Sequence, residues 1–375
     1  MTRNKIELEN QRGQILVLSV VFLGLLSTLV IGLFQVSYAV RQKIRLQISA
    51  DAALLSALNC EANALNTLAL NNRAVLANDA LAAQMNALVS ESGFYRKLAE
   101  RFSRLLRFIP YAGPVGVFLA RGTKTMEMLV RRTTSVLLPF TNFSNVSLAA
   151  ARKGVRQLFP YLAIKLARQT LEMNLPQAEL KPLSHAALLH QTRSLQNSLA
   201  KLDKENLEKL RIDTMDHHTK KRNWKISVAG ISPVKKTGNT RLENGNLTAR
   251  DQLRMKVFSR LRFRWKTVLS SRSRARDFGY HPPKDLITLK EGPEPPLSLG
   301  IMVQLNLQRA GTGPPLPGEK LSAVTAATLL YQRPSRPDET PNTFNPFWTT
   351  RLIPVASEPS IRKVISESIL REVRH

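Results

Sequence analysis

Only one cysteine, Cys60, occurs in the 375 residues, which excludes an intramolecular disulfide framework. Glu61 flanks it and no histidine is near in sequence, so nucleophilic catalysis by Cys60 has no support. Acidic residues are scarce: 27 Asp and Glu stand against 55 Lys and Arg, a formal net charge of +28. Histidine is scarce too. His185 and His190 lie upstream of Asp213, Asp216, His217 and His218, but adjacent histidines lack the i, i+4 spacing of a helical zinc site. Between Gly313 and Gly318 only the glycine spacing of a phosphate loop is copied, since Glu319 stands where lysine should follow. These absences leave no catalytic set, no metal ligands and no cofactor motif, so a non-enzymatic role is expected.

Two further absences shape the first part of the chain. Residues 15–36 contain no charge, and these 22 residues, as a helix, rise about 33 Å. That matches the roughly 30 Å hydrocarbon layer of a bilayer. The stretch lacks the polar stripe of a buried core helix and is too long for a signal peptide. A spanning helix that persists as an N-terminal anchor is therefore expected. Residues 33–92 contain neither glycine nor proline, which predicts one long helix, or two nearly continuous ones, projecting beyond the bilayer.

The charge is unevenly placed. Residues 1–100 hold nine Lys/Arg and seven Asp/Glu, a net of +2, leaving +26 for the rest. Such a field attracts polyanions, and anionic lipid head groups are a partner that a bilayer anchor brings with it. Three cations flank the apolar run on each side, so charge alone leaves the orientation open.

Within residues 46–90, rich in Ala and Leu, Leu54, Leu58 and Leu65 recur at helical spacing, and Asn59, Asn63 and Asn66 form a second strip. One reading is a helix packed on partner helices, with Asn amides bonding across. The other is an amphipathic helix packed on its own domain. Residues 93–107 are basic and interleaved with Phe and Leu, which suits either a solvated face over a core or an anionic membrane surface. Residues 108–120 are too short to span and read as a turn-rich hairpin or buried loop.

Helical segments are expected over 130–178, broken at Pro139, Pro160 and Pro176, and over 184–211, where Leu188, Leu195 and Leu202 keep a seven-residue period that would suit a short coiled coil. Beyond residue 223 the period becomes alternating, with strands over 224–231, 255–269, 297–307 and 320–331 and a last helix over 360–373. The sequence thus divides into a leader (1–14), a span (15–38), a helical extension (39–92), a helical region (93–222) and a basic β-rich region (223–375): an α+β fold. In the predicted strand 255–269, Arg260, Arg262, Arg264 and Lys266 share one face, a candidate contact for an anionic envelope polymer or nucleic acid. The cluster Arg272, Arg274, Arg276 extends it.

Certain residues carry a family resemblance. Arg12-Gly13-Gln14 before the apolar helix, then Arg41 and Leu46-Gln47-Ile48-Ser49-Ala50-Asp51-Ala52-Ala53-Leu54, resembles the N-terminal region of TadE/TadG-like proteins. These are pilin-like components of bacterial Flp (Tad) pilus assembly systems. Residues 329–334 and 344–354 are similar to the tail of TadG-like chains. The resemblance implies a single-pass inner-membrane protein, leader in the cytoplasm and body in the periplasm, whose partners are membrane lipid, other pilin-like subunits and the assembly machinery. Leu18 stands where processed pilins of this class carry Glu, so an uncleaved leader is expected.

Overall fold

In the computed structural model the described residues are 3–109, 111–228, 231–243, 246–259, 264–276, 278, 280–290, 298–306 and 320–355. Helix α1 (Arg3–Leu106) runs unbroken for 104 residues. Its absence of internal proline lets the backbone ladder continue through the whole length. Two different surfaces share it. From Leu16 to Val36 the apolar side chains are exposed all round the helix. From Leu46 onward Ala50, Leu54, Leu58, Leu65 and Leu68, spaced by three, four or seven, are buried. Burying one such leucine contributes about 1.5–3 kcal/mol.

A turn leads into helix α2 (Gly113–Asn174). The two helices are antiparallel: Ser56 accepts from Thr170 at 3.1 Å, whereas Asn78 donates to Asn145 at 2.8 Å. Small residues at the seam, among them Ala53, Ala57, Ala163 and Ala167, allow the helices to approach closely.

Short elements follow: β1 (Ala178–Leu180), α3 (Pro182–Ser198), β2 (Leu199–Lys201), α4 (Lys204–Thr214) and α5 (His217–Lys220). Then come β3 (Trp224–Val228), β4 (Ile231–Glu243), β5 (Asn246–Ser259), β6 (Arg264–Arg276), β7 (Ile287–Leu289), β8 (Ser298–Asn306), β9 (Lys320–Tyr331) and β10 (Trp348–Ile353). They form three antiparallel sheets, in the orders β1-β8-β9-β10, β2-β7 and β3-β4-β5-β6. The first sheet packs Leu299, Ile301, Val303, Ala327 and Leu329 against the leucine stripe of α1 nearest the apolar segment. The third packs Ala249 and Ala275 on Val89, near the far end of α1. The body is strung along one helix.

The α+β class and the long first helix agree with the sequence. Several local expectations do not. Pro139 and Pro160 lie inside α2 without ending it, because packing along α1 outweighs the lost hydrogen bonds. Residues from Gly113 to 120 belong to this helix rather than to a buried loop. The expected helix over 184–211 is cut by β2, and Asp203 caps a new helix by accepting from the Asn206 amide at 3.2 Å. Leu188 and Leu195 are buried in the protein's own core, so the seven-residue period is no coiled coil. The expected strand over 255–269 is instead the two arms of a hairpin, with Phe258 opposite Trp265. Strand β1, from the stretch read as helical, completes the sheet of β8 to β10. The helix expected over 360–373 lies outside the described residues.

Candidate membrane anchor and partner surfaces

The exposed segment of α1 is the one described helix long and apolar enough to cross a membrane, with mean hydropathy 2.6 over its best window. Two of its hydroxyls are satisfied within the helix. Ser27 donates to the Leu23 carbonyl at 2.7 Å and Thr28 to that of Gly24 at 2.8 Å, as a helix in hydrocarbon requires. Just beyond, Lys43 donates to the Ser322 carbonyl, and Gln47 to that of Val324 at 3.1 Å. The body therefore begins immediately past the span.

The residues expected to meet partner helices are mostly spoken for. Leu54, Leu58 and Leu65 sit in the protein's own core. The Asn66 amide donates to the Trp348 carbonyl at 3.0 Å and accepts from its backbone N–H at 2.9 Å. Asn59 accepts from the Thr350 hydroxyl at 2.6 Å. Asn63 alone of the strip is exposed with only its carbonyl engaged, by Thr67. Asn59 and Asn66 thus clip β10 onto α1, so these side chains, like the three leucines, are engaged within the chain's own body. Asn66→Leu is expected to cost about 1–3 kcal/mol, from two buried backbone groups left unpaired; chemical denaturation in detergent measures it.

Beside β10, Glu339 accepts from Arg333, Tyr331, Asn342 and Asn345, and the Arg333 guanidinium above all holds its carboxyl down at about 2. This cluster fixes the loop from β9 to β10.

The far sheet is held by buried charge. Asp251, fully buried, accepts from Arg222 Nε at 3.2 Å and Nη2 at 3.3 Å. Lys236 pairs with Glu91 of α1 and lies 5.1 Å from the Phe94 ring centroid and 5.0 Å from that of Tyr95. A side chain at Gly238 would clash with the buried Asp251 carboxylate that Arg222 holds in place, so glycine fits there. Nearer the middle, Asp79 of α1 accepts from Arg211 at 2.7 Å and from the Tyr280 hydroxyl. Burial pushes the Asp79 carboxyl up, with Arg211 and Tyr280 opposing. None of these groups stood out in the sequence. Their one signal is that Glu61, Asn72, Asp79 and Asn86 fall on the inward stripe of α1.

The outer face of this sheet is cationic. Alternation turns Ala249, Asp251 and Leu253 inward and leaves Arg250 and Arg254 exposed. Arg250 stands opposite Arg274, and Gln252 opposite Arg272. A shallow pocket of about 420 Å³ opens beside them, lined by Lys220, Lys221, Asn239, Arg241, Arg250 and Gln252 among others. No acidic residue lines it. Of the residues first singled out for polyanion contact, Arg264 and Lys266 lie at the start of β6, whereas Arg260 and Arg262 lie outside the described residues.

Among the described residues no group of three or more His, Cys, Asp or Glu could hold a metal. Asp216 instead caps α5, accepting from the Thr219 amide at 3.0 Å.

An exposed apolar helix near the N-terminus, bearing a folded α+β body along its continuation, defines a membrane-anchored protein. Residues 13–65 match the family model described as putative Flp pilus-assembly TadE/G-like (Tad), which relates the chain to Flp/Tad pilus assembly through its N-terminal region. No curated protein and no solved structure matches the chain.

Proposed function

We propose that the chain is a non-enzymatic, pilin-like component of a Flp/Tad-type pilus or a related secretion apparatus. It is held in the inner membrane with the leader in the cytoplasm and the body in the periplasm. One observation carries this reading. The matched segment is a single helix whose first part touches nothing of its own body and whose second part is the spine of that body. Lateral association then falls to the span. Gly24, Thr28 and Gly32 recur every four residues, and a Cβ at either glycine would meet nothing within 4 Å. Small residues at this spacing let spanning helices approach closely.

Gly24→Leu with Gly32→Leu is expected to abolish co-purification of pilin-like subunits while the protein remains in the membrane fraction. Unchanged recovery of partners would remove the case for the span. Topology is checked independently: a reporter fused to the C-terminus should be active only if it reads out the periplasm.

A second reading, polyanion binding, is favoured by the exposed cations Arg250, Arg254, Arg272 and Arg274 and by the pocket beside them, which has no acid among its described lining residues. Duplex DNA binding that weakens steeply with salt would support it. Arg250→Glu with Arg274→Glu should then lower affinity at least about tenfold, by fluorescence anisotropy, since each lost phosphate contact weakens binding. This face lies beyond residue 80 of α1, about 70 Å of helix past the span, too far along to serve the head groups of the anchoring bilayer.

A further inference from the structure

The turn joining α1 to α2 is where the long helices end, and it exposes a group of large apolar side chains. Phe108 is 86% exposed, Tyr111 97% and Phe118 77%, with Phe102, Leu105 and Ile109 exposed beside them. Soluble surfaces rarely gather so many large apolar groups without a partner. Tyr111 has φ 66°, in the left-handed region that a non-glycine residue seldom adopts.

The surroundings are basic, and the flanking acids Glu100 and Glu127 are both paired with Arg96. Arg101, Arg104, Arg107, Arg121 and Lys124 ring the apolar tip, and residues 101–126 contain no acid at all. The next one, Glu127, is buried and paired with Arg96 at 2.5 Å and Arg131 at 2.8 Å. An aromatic tip collared by arginine suits an anionic lipid interface, where the rings enter the head-group region and the cations meet phosphates. It suits a second copy of this chain poorly, because two such collars repel.

We propose that this hairpin tip is a membrane-docking site for an anionic bilayer surface. About 100 Å of α1 separates it from the span. Given the anchor reading, the bilayer it enters is a second one, so the protein links two membrane surfaces.

The test uses the full chain in proteoliposomes of phosphatidylcholine, mixed with labelled acceptor vesicles and separated by flotation. Acceptors rich in phosphatidylglycerol should be captured and pure phosphatidylcholine acceptors should not. Each cation at an anionic surface strengthens binding about fivefold. Arg104→Gln with Arg107→Gln should therefore weaken capture about 25-fold, and added salt should act in the same direction. Phe108→Glu with Tyr111→Glu should abolish it, with unchanged circular dichroism and tryptic pattern showing that the fold persists. Equal capture of neutral vesicles would overturn the proposal. So would capture indifferent to these substitutions, or capture only of acceptors that also carry the protein. Failure of the anchor would show separately, as protein that does not float with its own liposomes.

Discussion

Replacing Asp251 with alanine is expected to destabilise the far sheet by about 3–5 kcal/mol, the usual cost of leaving a buried charge without its partner. The carboxylate is wholly buried and holds the buried Arg222 through two hydrogen bonds, with Lys236 3.9 Å away. Removing it strands the guanidinium, whose remaining partners are the Thr219 carbonyl at 2.8 Å and the Thr240 hydroxyl at 3.0 Å. Because Lys236 also ties the sheet to Glu91, the effect should spread to the contact with α1. Protease cleavage within residues 224–276, under conditions where the wild type is resistant, is the expected readout. The part of the body nearest the span should stay protected, since its core lies elsewhere on α1. Uniform loss of protection along the chain would show instead that the body unfolds as one unit.

The second large effect concerns Glu61. Its side chain is fully buried in the leucine stripe, and neither oxygen has a hydrogen-bond partner among the described residues. Burial pushes its carboxyl up to about 8 from an ordinary value of 4.5. Below pH 4.5 folded and unfolded chains both hold the proton, and this group adds no pH dependence. Between 4.5 and 8 the folded chain holds a proton that the unfolded chain has released, so stability falls as pH rises. Above 8 the loss is complete. At 1.36 kcal/mol per unit the whole effect is up to about 5 kcal/mol, before any relief from water entering the site. Glu61→Gln should flatten this part of the profile, raising the melting temperature at pH 8 and changing it little at pH 4. Thermal melts across that range check the sign. A wild-type profile as flat as that of the variant would mean that Glu61 has a partner in the membrane-bound protein.

What could be read from the sequence follows from how local the signal is. The uncharged run at 15–36 and the lack of glycine and proline through residue 92 act over consecutive residues, so the long helix was legible. The alternation over 320–331 coincides with β9, and that over 297–307 differs from β8 by one residue at each end. The prolines of α2 misled because a single-residue rule ignores the tertiary packing that overrides it. Leu188, Leu195 and Leu202 misled for a related reason: a seven-residue period reports burial without saying against what. In β5 and β6 the sequence alternation runs on from one strand into the next, so two paired strands imitate one. Asn59 and Asn66 recur at helical spacing, but their partners lie some 290 and 280 residues downstream, in Thr350 and Trp348. No pattern near residue 60 can show that.

That last pairing has a consequence for biogenesis. Ribosomes release α1 well before β8, β9 and β10, so its leucine stripe emerges before the strands that cover it have been made. Any export route must keep nearly the whole polypeptide from clumping while its greasiest helix waits uncovered. A premature stop before residue 298 would leave much of that surface bare, and such truncated products should be destroyed by quality-control proteases rather than accumulate as smaller working versions.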